Sequence, residues 1–327
     1  MQTLVFRARC ITPLIIGGAA GAGSDPIPEG LRPPSLRGVL RFWLRTLAAG
    51  LDPRPETLLN LEGHVFGSTD LRSPVLIRTY PKDRLIRTTA YLRMNDTSKA
   101  NIQRPAVDAG GTFQLRLALP AWYESAPLLA VLWLLAMLGG VGARTRRGFG
   151  SIVFLPADTE TEARAQAVGL DFLQQDVSLA ERARQIRAGI VQARRLIHVP
   201  GRPGAKAERR QRVLSGPAAR LCLIEPMEGP WENWKDAMND LREQVYRGYK
   251  RHLDSAGKKG KIKEVATPHS SPRRSPLLVQ VKQGSSGYFG VLLAFENAEA
   301  FGKKFSEFNA FIRSLRGVLR VERVPLP

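Results

Sequence analysis

From Gly139 to Ser151 the chain reads Gly-Gly-Val-Gly-Ala-Arg-Thr-Arg-Arg-Gly-Phe-Gly-Ser, three arginines among five glycines directly after an apolar run. This is the composition of a phosphate-gripping loop. Glycine lets backbone N–H groups approach an anion and adopt positive φ, and the guanidinium is a permanent charge with a planar fork that matches phosphate oxygens. The candidate contacts are the backbone at Gly140 and Gly142 and the side chains of Arg144, Arg146 and Arg147. Phe149 would stack on a base or else belong to the core. The segment fails as a dinucleotide or P-loop site: Thr145 stands where a third glycine would complete GxGxxG, and no Gly-Lys-Ser/Thr follows. A polymer backbone is the better ligand. A helix C-cap followed by a solvated turn would explain Gly139 and Gly140 but leaves the arginines without a role.

A second arginine set, Arg37, Arg41 and Arg45, falls four residues apart and so shares one helix face. Such a stripe either lines a polyanion groove or is simply solvated. Acid–base cleavage of a phosphodiester would need paired groups, but His64, His198, His252 and His269 are scattered without a pairing interval. No metal-ligand spacing appears, and Cys10 and Cys222 lie alone in apolar segments as small core residues. No cofactor or metal is therefore expected.

Composition points to the same ligand class. The 327 residues hold 49 Lys+Arg against 29 Asp+Glu, a formal net charge of +20. A surface this positive attracts polyanions, nucleic acid first among them, through counterion release. A membrane surface competes poorly, since there is no lipidation signal or long basic amphipathic helix. Ala126 to Leu138 is continuously apolar but shorter than the roughly 20 residues a bilayer needs. Arg7 and Arg9 interrupt the N-terminal apolar stretch, so it does not read as a signal peptide, and a cytoplasmic protein is expected.

The elements that must position these residues fall into two similar sets. In the first, Leu4 to Thr12 reads as a strand and Gly17 to Pro28 as a long loop. A helix follows Pro33-Pro34-Ser35, with Ser35 as N-cap and Leu36, Val39, Leu40, Trp43, Leu44 and Leu47 as its apolar face. Strands are expected near Ser73 to Tyr80, Leu85 to Arg93 and Thr112 to Leu119, then the Ala126 to Leu138 helix, the loop, and a strand from Phe149 to Leu155. In the second set, a strand over Ala218 to Ile224 precedes a helix over Trp231 to Leu253. A hairpin, Leu277 to Lys282 and Tyr288 to Glu296, turns at Gly284 to Gly287. A helix over Ala298 to Leu315 and a strand over Val318 to Val324 complete it. Both read as βαββαβ, so the expected class is α+β with two tandem ferredoxin-like domains, 1–156 and 218–327. Residues 157–217 would be a helical segment, Thr159 to Ile197, and a proline/glycine-containing linker. From Arg184 to Arg220 there are ten basic residues and one acid, Glu208, and Lys258, Lys259, Lys261 and Lys263 mark a second basic insertion, 258–274.

The chain resembles the RAMP superfamily of CRISPR-associated RNA-binding proteins, and most closely the family of subunit one of the type III-B (Cmr) effector complex. The resemblance is carried, in order, by Thr12-Pro13, by Pro33-Pro34-Ser35-Leu36-Arg37-Gly38 with Arg41-Phe42-Trp43, by Glu62 with Phe66-Gly67-Ser68, and by the Gly139 to Ser151 loop. These motifs cover about the first half of the chain. The resemblance implies a non-catalytic RNA-binding subunit of an antiviral ribonucleoprotein, seated near the 3′ end of the guide (CRISPR) RNA and helping capture complementary target RNA beside other Cmr subunits. Arg144, Arg146 and Arg147 would grip phosphates, with the Arg37, Arg41, Arg45 stripe in the same groove. It also supplies the alternative, a RAMP-type endoribonuclease, for which Asp25 in the loop after the first strand is the acid to test. A pure protein scaffold is the third class, and its assembly would be insensitive to salt and independent of RNA.

Overall fold

The computed structural model describes residues 1–16, 31–81, 87–91, 103–172, 176–197, 212–255, 276–297, 301 and 303–327. Asp25, His198, His269, the Gly17 to Pro28 loop and the 258–274 insertion fall outside these residues, as does most of the expected linker. The chain is α+β and divides into two compact units. One comprises 1–145, 149–173 and 188–213; the other comprises 146–148, 174–187 and 214–327.

In the first unit, strands β1 (Gln2–Cys10), β2 (Leu76–Pro81), β5 (Thr112–Leu119) and β6 (Ile152–Pro156) form an antiparallel sheet in the order β2-β5-β1-β6. Strands β3 (Arg87–Tyr91) and β4 (Gln103–Val107) pair separately. Alternation decides the faces. Leu4, Phe6, Ala8 and Cys10 of β1 and Phe113, Leu115, Leu117 and Leu119 of β5 are all buried, while Arg7 and Arg116 are exposed. Helices α1 (Pro33–Ala48), α2 (Pro55–Phe66) and α3 (Ala126–Leu138) build the rest of the core.

Helix α1 starts earlier than Ser35. Arg32 is its N-cap without a side-chain cap bond, and Pro33 and Pro34 occupy the first turn, where a missing N–H costs nothing. Of its expected apolar face, Leu36, Leu40, Trp43, Leu44 and Leu47 are buried, and Val39 is half-buried at the margin. The helix α2 was not legible, because its buried positions, Leu58, Gly63, Val65 and Phe66, make a weak stripe. The expected Thr159 to Ile197 helix is two, α4 (Thr159–Ala167) and α5 (Leu179–Arg195), and Gly169 at φ +68 stops the first.

In the second unit, β7 (Ala219–Pro226), β8 (Leu277–Gln283), β9 (Tyr288–Phe295) and β10 (Leu319–Val324) form an antiparallel sheet in the order β10-β7-β9-β8. The Gly284–Gly287 turn closes the β8–β9 hairpin, with the Gly284 N–H donating to the Gly287 carbonyl at 2.7 Å. The expected Trp231 to Leu253 helix begins instead at Trp234 and contains a π-helical stretch: α6 (Trp234–Asp240), Leu241–Arg247, and α7 (Gly248–Ser255). Trp231 bridges Tyr288 instead. The widened turn still keeps Leu241, Val245 and Tyr249 buried. The last helix, α8 (Ser306–Leu315), is shorter than expected, because Lys304 (φ 52) and Phe305 (φ 61) are left-handed just before it. Phe301, Phe305, Phe308, Ile312 and Leu315 are nonetheless all buried. Both cysteines are buried, and burial pushes the thiols of Cys10 and Cys222 up to about 12, so both are inert core residues.

Candidate nucleic-acid interface

The glycine/arginine loop is built by steric necessity from α3 onward. A Cβ at Gly139 would meet the Trp43 Nε1 at 2.5 Å, so glycine there lets the end of α3 close on α1. Gly140 is buried beside it. The loop then runs along the segment that follows β1. Ala143 N–H donates to the Ile15 carbonyl at 2.7 Å, Gly150 N–H to Pro13 at 2.9 Å, and Val141 N–H to Gly150 at 2.8 Å. Gly142 (φ 89) and Gly150 (φ 66) are left-handed, and a side chain on either would overlap a carbonyl oxygen, that of Ile15 or Val141. The Thr12-Pro13 motif is explained by the same contacts: the Thr12 hydroxyl accepts from the Ser151 N–H at 3.0 Å.

Within this frame Arg144 is left-handed at φ 58. A non-glycine residue held there costs on the order of 1 kcal/mol and is more often found at functional positions. The next residues belong to the second unit and are pinned there to strand β8. Val279 N–H donates to the Arg146 carbonyl at 3.1 Å, Gly148 N–H donates to the Val279 carbonyl at 2.8 Å, and Tyr246 Oη also donates to the Arg146 carbonyl. Burial raises the Tyr246 hydroxyl above its usual range, an effect opposed by Arg147 and Arg146. A Cβ at Gly148 would meet Met238 Sδ at 2.5 Å, so this backbone too requires glycine. Arg144, Arg146 and Arg147 are all half-buried. Phe149 is 7% exposed, which fits a core ring and not a stacking platform; it precedes β6 instead of opening it.

The second arginine set is a structural latch. Arg37 donates to the Val75 carbonyl at 3.1 Å, and Arg41 donates to the Phe66 and Gly67 carbonyls at 3.1 and 2.8 Å. Arg41 Nε lies 3.3 Å from Glu62, and Arg45 pairs with the same carboxylate. Desolvation, followed by repulsion from Arg41, lowers the Arg37 guanidinium. The stripe is thus neither a bare groove wall nor simply solvated. Arg41 and Arg45 tie α1 to the end of α2, where the Glu62…Phe66-Gly67 motif receives them, and Arg37 ties it to Val75. Gly67 is left-handed at φ 80, where a Cβ would meet the Ser73 backbone nitrogen at 2.6 Å.

Among the described residues no three His, Cys, Asp or Glu side chains group as metal ligands. His64 Nδ1 lies 2.7 Å from the Asn60 carbonyl, and His252 stacks on Tyr249. No described helix is long and apolar enough to cross a membrane.

Residues 7–153 match the RAMP superfamily model. The CRISPR system Cmr subunit Cmr1-1 of Pyrococcus furiosus is 32% identical over 145 residues, 41% of this chain and 43% of the relative. The chain thus spans under half of that relative's length. The crystal structure of apo Cmr1 from P. furiosus superposes with a TM-score of 0.65 at 20% identity, covering 99% of both chains. A chain of the type III-B Cmr-β complex bound to cognate target RNA and AMPPnP, in the presence of ssDNA, superposes with a TM-score of 0.63 at 13% identity, covering 95% of this chain and 99% of that one. Residues 7–153 are thus similar to the RAMP superfamily, and the chain is similar in part of its sequence to Cmr1 subunits of CRISPR systems.

Proposed function

We propose that this protein is a non-cleaving, RNA-binding subunit of a type III-B Cmr ribonucleoprotein, with guide RNA, target RNA and other Cmr proteins as its partners. The observation that carries the reading is the loop backbone. In the first unit Gly142 and Arg144 are left-handed and the Ala143 N–H is held by the Ile15 carbonyl; in the second, Gly148 is left-handed and Arg146 and Gly148 are held by Val279, so the backbone that carries the arginines is fixed within each unit. Arginines on a held backbone lose less freedom on meeting a phosphate chain than arginines on a free loop, and they carry no base information, as a subunit serving many guides requires. The latch formed by Arg37, Arg41 and Arg45 holds α1, and with it Trp43, against Gly139 at the root of the loop. These three arginines position the grip. A site near the guide 3′ end and a part in target capture rest on the resemblance. The strand order, in which the first and third sheet strands of each unit are central, supports reading both units as ferredoxin-like.

The test uses the full chain and labelled single-stranded RNA over a salt series. Changing Arg144, Arg146 and Arg147 together to alanine should lower the slope of log K against log salt by about 2, at roughly 0.7 per phosphate neutralised. An unchanged slope in a folded variant would remove the loop from the interface.

A further inference from the structure

The first unit carries a second basic surface, unrelated to the loop, on the open face of its sheet. The register β1–β5 sets Arg7 opposite Gln114 and Val5 opposite Arg116, and the register β2–β5 sets Arg78 opposite Arg116 and Tyr80 opposite Gln114. Side chains directly opposite share a face, so Arg7, Arg78, Arg116 and Tyr80 all stand on the face opposite the core. The three arginines are exposed, and Tyr80 is 41% exposed on the edge strand β2.

Two features distinguish this face from an ordinary solvated one. The four strands contain no aspartate or glutamate, and among the described residues none of the three arginines is in an ion pair. Arg78 moreover stands directly across from Arg116, a like-charge pair that destabilises a sheet. A partner that is itself anionic relieves that repulsion. The face is also organised: Arg116 Nε donates to Gln114 Oε1 at 2.9 Å, and its guanidinium lies 5.7 Å from the centre of the Tyr80 ring. Exposed arginines oriented around an exposed aromatic on a twisted antiparallel sheet combine phosphate forks with a base-stacking surface.

We propose that this open face binds single-stranded RNA as a second contact surface, with Arg7, Arg78 and Arg116 on phosphates and Tyr80 stacked on a base. An exposed aromatic beside the arginines selects a nucleic acid over an acidic protein, because a base can stack on the ring while its phosphates meet the guanidinium groups.

The experiment compares Arg7→Ala/Arg78→Ala/Arg116→Ala, Tyr80→Ala, Tyr80→Phe and the loop triple variant, each as the full chain, with labelled polyuridine over a salt series. The sheet triple variant should lower the log–log slope by about 2, independently of the loop. Tyr80→Ala should weaken binding about fivefold or more at unchanged slope, and Tyr80→Phe should restore it. Should the triple variant fold poorly, Arg7→Ala alone should lower the slope by about 0.7. An unchanged slope in folded sheet variants, with the loop variant still defective, overturns this proposal and leaves the loop reading intact. Loss of assembly with other Cmr subunits at undiminished RNA affinity would assign the face to a protein and also overturn it. Absence of RNA binding by the unaltered protein would remove both.

Discussion

Gly150→Ala is the sharpest probe of how the loop is held. Its backbone is left-handed at φ 66, where an alanine costs about 1 to 2 kcal/mol from strain alone. The added Cβ would also overlap the Val141 carbonyl oxygen, which is backbone and cannot swing aside. Relief requires moving one strand of the loop, at the expense of the Val141-to-Gly150 and Gly150-to-Pro13 hydrogen bonds of 2.8 and 2.9 Å. Each such bond left unmade in a buried place costs about 1 to 3 kcal/mol, so with two bonds and the strain the total is about 3 to 8 kcal/mol. Gly110 supplies the control: it has φ 89, but a Cβ there meets nothing within 4 Å, and alanine should cost only the strain. At roughly 2 to 4 °C per kcal/mol for units of this size, Gly150→Ala should lower Tm by about 6 °C at the least and by about 15 °C at mid-range, and Gly110→Ala by about 2 to 8 °C. Differential scanning calorimetry of the two variants checks this, alongside RNA affinity, which only Gly150→Ala should reduce. Equal Tm shifts would refute the claim that close backbone approach, and not φ alone, demands glycine at this position.

Trp43→Ala should cost about 3 to 5 kcal/mol in a urea titration, because a fully buried side chain is replaced by a cavity against Gly139; retention of stability with loss of RNA would reverse the helix face. Burial lowers the Lys282 ammonium from 10.5 to about 7. Between about pH 7 and 10.4 the unfolded chain therefore binds a proton that the folded one does not, and stability rises with pH by at most about 1.4 kcal/mol per unit, the penalty being complete below about 7. Lys282→Met should flatten that rise and stabilise the protein at neutral pH, whereas an identical pH profile for the two proteins would contradict it. With labelled complementary RNA, Mg²⁺ or Mn²⁺ and the reconstituted complex, Asp25→Ala should give the same products as the unaltered protein. Loss of one specific cut with binding and assembly intact would favour the endoribonuclease.

Strong periodicity made most elements legible. Thr112–Leu119 and Ala126–Leu138 coincide with their expected bounds, and the apolar stripes of α1 and α8 mark faces that are buried. What was lost has identifiable causes. Strand β4 contains Pro105 and a charged Arg104, and the apolar residues of α2 do not keep to one face, Leu59 being exposed, so neither carries a clean periodic signal. The break before α8 lies in two left-handed non-glycine residues that composition does not announce. The loop's turns were legible because its glycines announce positive φ, and Gly142, Gly148 and Gly150 adopt it. The contacts of Arg37, Arg41 and Arg45 were not, since Glu62 and the Phe66 and Gly67 carbonyls that receive Arg41 and Arg45 come from a helix invisible to the pattern, and the Val75 carbonyl that receives Arg37 is remote in sequence. Their i, i+4 spacing marked a shared face, and the Glu62…Phe66-Gly67-Ser68 motif was the one available sign of a receptor. The open sheet face could have been found by asking which strand positions place like charges together, but that requires the register.

The most direct test is photo-crosslinking of guide RNA in the purified native complex, followed by mass spectrometry of the peptides attached to RNA and sequencing of the bound strands. The account predicts a common population of short guide RNAs and crosslinks at the segment containing Arg144, Arg146 and Arg147. A chain that co-purifies with the other subunits yet carries no RNA crosslink in that segment would contradict it.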